Sequence, residues 1–331
     1  MNKISSLMFV SFLSMGTIIT LSSASWIGAW LGLEINLLSF VPLMLSKNNM
    51  RSSEAAFKYF FTQASASIIL LSFIILFSIS STSTLFSPSF CTEGVMSALM
   101  LKVGSAPFHF WLPNVMEGLS WINCFILMSW QKIAPLILSS FIFSQITQLF
   151  IISSALIGSI GGINQVLLRK LFAFSSINHI AWMISALSIS TSLWIMYFLM
   201  YMILMIPIIF FFNKLKTFHF QQLWNFLSKS KINKIMFSLT LLSLGGLPPF
   251  LGFFPKWMVI MHLINYNLLI SIILIMTSLI TLFFYTRISF TSLTFLYSSS
   301  SEEGPKTFSN FSLMFILYSI ASFALFIYLM S

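Results

Sequence analysis

The chain has 331 residues, of which 58% are hydrophobic and 7% charged, and its 16 Lys and Arg outweigh 6 Asp and Glu to give a formal net charge of +10. Apolar stretches of about 20 residues follow one another along it, each long enough to cross a bilayer, so it reads as an all-α polytopic membrane protein. The basic residues flank these stretches instead of interleaving with exposed aromatics, which argues against a nucleic-acid partner, and the absence of any Asp argues against carboxylate-rich metal sites.

Apolar runs bounded by polar or Pro/Gly/Asn clusters predict eleven helices, at about 4–22, 26–45, 57–80, 94–114, 118–143, 146–163, 171–189, 193–212, 235–264, 267–288 and 311–330. The first continues without a small-residue cleavage site into Trp26–Leu45, so it is expected to stay in the mature protein. The second carries Glu34 near its middle. The fourth carries Lys102, eight residues from Gly94 and hence about 12 Å along the axis, too deep for easy snorkelling. His109 and Glu117 flank Pro113, where proton uptake or an interfacial role competes with ordinary solvation. In the fifth helix Lys132 stands three residues before Pro135, and in the seventh His179 occupies the middle, where it suits a proton relay or a hydrogen-bonded core. The polar run Ser188–Ser192 separates the seventh helix from the eighth, and Lys256 follows a Gly245–Pro255 break in the ninth.

Other signals are weak. Cys91 and Cys124 form no C-x-x-C and are too few for a four-thiolate cluster, so free thiols are expected. Four scattered histidines offer no evident axial pair for haem, and His219 and His262 receive no role. No G-x-G-x-x-G after a strand, P-loop or H-E-x-x-H is present, which places nucleotide chemistry and metal hydrolysis elsewhere. The many Phe and Met residues are read as lipid-facing or packing groups.

The cations test the helix count, because consecutive loops alternate sides and Lys/Arg concentrate on one of them. Lys3, Lys47, Arg51, Lys58, Arg169, Lys170, Lys214, Lys216, Lys229, Lys231, Lys234, Arg287 and Lys306 all fall on the side of the N-terminus. The opposite side receives none. The three cations left over are Lys102, Lys132 and Lys256, each inside an apolar segment. A lysine at a helix centre opposes insertion by roughly 2.5–3.5 kcal/mol, about 8–10 kcal/mol for three, so function is the default reading. A buried salt bridge that only fixes packing is the competing account of Glu34 and Lys102, and a loop boundary competes for Lys256. Lysine supplies a proton site that its surroundings can tune, which the guanidinium of Arg cannot.

A faint internal repeat joins Leu101-Lys-Val-Gly104-Ser-Ala-Pro107 to Leu242-Ser-Leu-Gly245-Gly-Leu-Pro248 as L-x-x-G-x-x-P, with Leu101 matched to Leu242. Gly and Pro in mid-span predict discontinuous helices four and nine. Being five apart, these cross in opposite directions, which fits an inverted-topology repeat with an ion site near the midplane. The expected layout is residues 1–145 as one five-helix repeat, 146–290 as its inverted copy, and 291–331 as a polar loop and a last helix.

Trp26-Ile-Gly-Ala-Trp30-Leu-Gly-Leu-Glu34-Ile-Asn36-Leu, Ala106-Pro107-Phe-His109-Phe-Trp111-Leu-Pro113, Trp130-Gln-Lys132-Ile-Ala-Pro135 and Gly245-Gly-Leu-Pro248-Pro-Phe250 together resemble the chain 2 family of NADH–ubiquinone oxidoreductase, respiratory complex I, in its animal mitochondrial form. The likeness covers nearly the whole chain and weakens after about Arg287. That family is similar to cation/proton antiporter subunits, whose two inverted repeats carry a Glu–Lys pair, a connecting lysine and a lysine on the second broken helix. By resemblance Glu34 and Lys102 are the pair, Lys132 the connector and Lys256 the outlet-side residue; His179 joins the expected proton relay on its mid-helix position alone. Bacterial relatives have fourteen helices, and the three missing here lie at the N-terminus, outside the repeats.

The resemblance implies an inner mitochondrial membrane, the N-terminus in the matrix, and the C-terminus toward the intermembrane space. It implies other membrane-arm and accessory subunits as partners, with lipids such as cardiolipin, and no homo-oligomer. NAD, FMN, iron–sulfur clusters and ubiquinone are then expected in partner subunits, with no cofactor in this chain. The implied function is a proton-translocating subunit of a redox-driven pump. A standalone cation/proton antiporter is the alternative, and a scaffold without proton chemistry is a third reading.

Overall fold

The computed structural model describes residues 3–46, 49–80, 87–222, 231–248 and 250–294. Their regular structure is helical apart from an isolated bridge between Leu167 and His219. Six stretches are long and apolar enough to cross a membrane unaided: Ile4–Ser22, Trp26–Met44, Met50–Ser80, Trp121–Ser139, Thr191–Leu215 and Leu268–Thr291. The expected eleventh helix and the cations Lys47, Lys229 and Lys306 lie outside the described residues. Close contacts divide the chain into two compact units, Met1–Ser154 and Ala155–Ser331.

In the first unit α1 (Lys3–Ser22) runs along α2 (Trp26–Met44), and α3 (Met50–Ser80) packs on α2, on α4 (Pro88–Val103) and on α5 (Trp111–Gly118). Small residues set the closest approach. A Cβ on Gly16 would stand 3.0 Å from both the Asn36 nitrogen and the Gly32 oxygen, so only glycine lets the α1 and α2 backbones meet. On its other side α1 exposes Ile4, Leu7, Phe12 and Met15, the apolar surface a lipid-facing helix presents.

The break expected in the fourth helix is present. Gly104 turns left-handed at φ +81°, its N–H and that of Ser105 both donate to Met100 O at 3.0 and 3.1 Å, and α4 stops there. This pattern satisfies carbonyls that a helix end would leave bare. A non-helical stretch containing the cis Ala106–Pro107 bond leads to α5. Three carbonyls around the break find neutral donors: Trp111 Nε1 to Leu101 O and Gln63 Nε2 to Lys102 O, both 3.1 Å, and Ser153 Oγ to Ala106 O, 2.7 Å.

A second interruption was not expected. In place of one helix over 118–143 there are α6 (Trp121–Met128) and α7 (Trp130–Ser139), divided at Ser129 (φ −117°, ψ −77°). Pro135 cannot donate to Gln131 O, which loosens the turn around residue 131. Ser129 then closes the gap locally, its hydroxyl donating to Phe125 O and its carbonyl accepting from the Lys132 N–H.

Helix α8 (Ile146–Gly162) leads into the second unit, where α9 (Leu168–Leu187) is buried along most of its length. It packs against α10 (Thr191–Leu215), α12 (Phe253–Tyr266) and α13 (Leu268–Thr294), while α11 (Lys231–Gly245) lies on α10 and α13. The expected separation at Ser188–Ser192 is made by Ser190, whose hydroxyl accepts the Leu193 N–H at the start of α10.

The second expected break follows α11. Here Gly246 is left-handed (φ +83°), and its N–H and that of Leu247 donate to Leu242 O at 3.1 and 3.3 Å. The partner of Gly104 is therefore Gly246, not Gly245, and the two backbones align one position further along than the leucine-anchored match gives. G-x-x-P survives in this register as Gly104–Pro107 and 246–249, although Pro249 lies outside the described residues. The same register governs a separate contact: a Cβ on Gly158 would meet the Asn178 nitrogen at 2.5 Å and the Phe174 oxygen at 2.9 Å, matching Gly16 with Asn36 and Gly32. Lys234, expected among the loop cations, lies within α11 with its side chain covered.

Candidate functional site

Each unit buries one polar cluster. In the first, Lys102 ends α4 and Lys132 begins α7, with only 6% and 1% of their surfaces exposed. Both line one cavity, shared with Asn36 of α2, Tyr59 and Gln63 of α3, and Gln131 of α7. It offers about 20 Å³ to water centres, enough for one molecule, because such a site needs only roughly 10–15 Å³ and a few polar partners. Gln131 Nε2 donates to Asn36 Oδ1 at 3.1 Å, tying α7 to α2 across the cavity. Lys102 sits in the last turn of its helix, the end at which the helix dipole favours a cation.

Glu34 approaches this cluster without closing on it. The carboxylate is half-buried on α2, within electrostatic range of Lys102 and Tyr59, and one of its oxygens is buried without a hydrogen-bond partner. No direct Glu34–Lys102 ion pair forms. The contrast is the exposed Lys58–Glu54 pair one turn apart on α3, with N···O 2.5 Å. Apart from Lys132, the polar side chains that share the cavity with Lys102 are neutral: Asn36, Tyr59, Gln63 and Gln131. Such neutral partners accept an ammonium or pair with an amine by rotating, so a proton can come and go without stranding a carboxylate.

The second cluster is built from aromatics. Lys256, in the first turn of α12 and 6% exposed, donates from Nζ to Gly245 O at 2.9 Å, and its ammonium lies 5.9 Å from the ring centroid of Trp182. Gly246 is needed for this path as well as for its φ, since a Cβ there would stand 3.0 Å from Lys256 Nζ. His179 is central in α9 and 7% exposed; its Nδ1 is 2.9 Å from the Tyr197 hydroxyl, and its ring centroid is 4.8 Å from that of Tyr201. Trp182 stacks parallel to Tyr197 at 6.4 Å. No acidic residue occurs between Glu117 and Glu302, so the described residues of this unit bring no carboxylate to the cluster.

Of the five residues singled out from sequence, Lys102 and Lys132 come together, Glu34 stands near them, and His179 and Lys256 join a second aromatic group through Tyr197 and Trp182. Sequence reading missed Asn36, Gln63 and Gln131 as cavity groups and Trp182, Tyr197 and Tyr201 as partners of His179 and Lys256. A usable signal existed in unit two: Asn178 and Trp182 on α9, and Tyr197 and Tyr201 on α10, recur at i,i+4 and so share a helix face. His109 is buried in the first break, its Nδ1 3.2 Å from Pro107 O, so ordinary solvation does not describe it. Among the described residues no three His, Cys, Asp or Glu side chains gather into a metal site, and Cys91 and Cys124 are buried free thiols.

The sequence matches the family described as NADH:quinone oxidoreductase/Mrp antiporter, TM, over residues 23–281. NADH-ubiquinone oxidoreductase chain 2 of Anopheles gambiae is 50% identical to it, with 97% of this chain and 96% of that one covered. The protein of the same name from Oryctolagus cuniculus is 37% identical over 93% and 89%. Among solved structures, a chain of respiratory complex I from Thermus thermophilus with bound Aureothin superposes with TM-score 0.83 at 20% identity, covering 98% of this chain and 78% of its own. A chain of the Mrp complex from Dietzia sp. DQ12-45-1b gives 0.78 at 17%, covering 96% and 74%. These two likenesses establish the fold.

Proposed function

The chain belongs to the NADH:quinone oxidoreductase/Mrp antiporter transmembrane family, and from that premise we propose that it serves as a core subunit of the membrane arm of respiratory complex I, moving protons across the mitochondrial inner membrane. NADH-to-ubiquinone electron transfer in other subunits drives it; flavin, iron–sulfur clusters, NADH and the quinone headgroup belong to those partners. The observation that carries this reading is the cavity in which two lysines deep in apolar helices face neutral amides and room for a water. Each lysine acts by binding a proton at Nζ as ammonium and releasing it to a neighbouring acceptor. Glu34 supplies the adjoining charge in the first cluster, and His179 and Lys256 carry protons in the second. The chain works within a hetero-oligomer and among membrane lipids, cardiolipin included.

The finer architecture belongs to the same proposal. Eleven spans are arranged as repeats 1–145 and 146–290 of inverted topology, with the last helix outside both and the repeat register set by the match of Gly104 to Gly246. The N-terminus and the Asn213–Lys234 segment face the matrix and the C-terminus faces the intermembrane space. Labelling of that segment by a membrane-impermeant reagent from the intermembrane-space side overturns this orientation; labelling from the matrix side supports it.

The test of function is Lys132→Ala in inner-membrane vesicles, with proton uptake measured against NADH oxidation. Proton-coupled turnover should fall at least about tenfold, as for loss of a proton-transfer group, while the complex still assembles. Lys132→Arg should not restore it, because guanidinium keeps its proton. Full pumping by Lys132→Ala sinks the relay and leaves the scaffold reading. A standalone cation/proton antiporter, favoured by the fold likeness to the Mrp chain, predicts isolation alone or as a homo-oligomer; the pump subunit is isolated only with many partners.

A further inference from the structure

Lys256 poses a problem that its family role does not answer: what holds an ammonium in a unit whose described residues contain no acidic side chain. A buried charge without a counter-ion is costly unless hydrogen bonds or polarised groups replace water. Two groups do so here, the Gly245 carbonyl at 2.9 Å and the face of Trp182 at 5.9 Å, within the roughly 6 Å over which an indole ring attracts a cation. Trp182 is fully buried, and its ring N–H has no hydrogen-bond partner. A buried tryptophan ordinarily satisfies that N–H; this one gives it up to hold an orientation fixed by stacking on Tyr197. In the register that matches Gly104 to Gly246, Phe40 takes the place of Trp182 and packs edge-on against Tyr59, and Asn114 takes the place of Lys256. The indole occurs where the cation occurs.

We infer that Trp182 is the positioning residue for the Lys256 ammonium, its π face serving where the described residues of the second unit offer no carboxylate and coupling the lysine through Tyr197 to His179. This rests on the reading of Lys256 as a proton carrier. The titratable side chains buried on the helices packed around α12 are His179 on α9, Tyr197 and Tyr201 on α10 and Tyr285 on α13, all neutral or cationic at working pH, so none supplies a competing anion. Losing the face removes an attraction that only the charged lysine feels, and the effect should therefore grow as pH rises and protons become scarce.

The experiment uses the assembled complex in membrane vesicles and reads proton pumping per NADH oxidised across a pH series. Trp182→Leu should lower pumping at alkaline pH by about five- to thirtyfold, the range expected when a desolvated cation–π contact is lost, with much less change at acid pH. Trp182→Phe keeps a π face and should stay within about threefold of the native protein at every pH. If Trp182→Leu depletes the complex, Trp182→Met takes its place, with flexible bulk and no π face. Coincident pH profiles for native and Leu (or Met) variants overturn the inference, as does a Phe variant as impaired as the Leu. Lys256→Gln separates the two levels: lost pumping in it with coincident Trp182 profiles sinks only the positioning role, whereas normal pumping in it sinks the Lys256 carrier beneath.

Discussion

Lys102 and Lys132 share a cavity with Asn36, Gln63 and Gln131, whereas Lys256 lies between a helix-end carbonyl and an indole ring. Two backbone features recur beneath these sites. A left-handed glycine ends the first half of each broken helix, and a glycine meets an asparagine backbone at the matching place in each unit. A scaffold set by glycine positions thus leaves the polar side chains free to diverge. Amides serve both the charged and the neutral lysine by rotating, while an aromatic face attracts only the charged one. On the proposed proton-carrier reading, the first unit would tolerate either protonation state and the second would favour the cation.

Four tests, with six substitutions between them, break or sharpen that contrast. The largest effect belongs to Gly252→Ala, whose Cβ would stand 1.7 Å from Ser243 O, a backbone collision that no side-chain movement relieves. Destabilisation should exceed about 4 kcal/mol, and the complex should vanish from native gels. The matching position in the first unit is the exposed Phe110, where Ala should leave abundance nearly unchanged; equal depletion at both sites would mean the two breaks fold back alike.

Next comes Gly246→Ala against Gly104→Ala. Each imposes a left-handed alanine, costing about 1–2 kcal/mol, so abundance should fall similarly. Only the first also pushes on the Lys256 ammonium; at Gly104 the new atom meets Leu112 and Trp111 instead. Pumping per assembled complex should drop further in Gly246→Ala, and equal specific pumping would remove the special standing of the second break. A smaller effect is expected for Gln131→Leu, which deletes one neutral hydrogen bond to Asn36 worth about 0.5–1.5 kcal/mol. Coupled turnover should fall about threefold, and no change would show that the amide pair is not what serves the first cavity. Lys58→Ala is the smallest: its pair with Glu54 is exposed, such pairs contribute about 0–1 kcal/mol, and both pumping and abundance should stay near native.

Both broken helices were legible because Gly and Pro act locally, on their own backbone. The register between them was not. Residues 245 and 246 are both glycine, and nothing in the sequence says which takes positive φ; matching Leu101 to Leu242 selects the wrong one. The interruption at Ser129 was hidden because its cause, Pro135, lies six residues away. The three buried lysines stood out by their cost, and they are buried as expected. Their neutral partners could not be read: Gln63 reaches Lys102 O across 39 residues and Gln131 reaches Asn36 across 95, separations at which sequence carries no pairing signal. Glu34 and Lys102 were expected as a pair by resemblance, and the structure leaves the carboxylate near the lysine but not in contact. Lys234 shows the opposite failure, a cation assigned to a loop by its charged neighbours yet covered within α11.

The second break divides its span into helices of nearly equal length, 15 residues before it and 14 after, and Lys256 stands just past the division. In the proposed span layout, a charge there sits about halfway through the electric field across the membrane. Moving one elementary charge through the whole field is worth about 2.3 kcal/mol per 100 mV, so half the path is worth about 1.2 kcal/mol, close to a sevenfold change in how often the site holds its proton. If Lys256 is the carrier proposed above, it is thereby a voltmeter too: the gradient that pumping builds would act back on the residue that helps to build it.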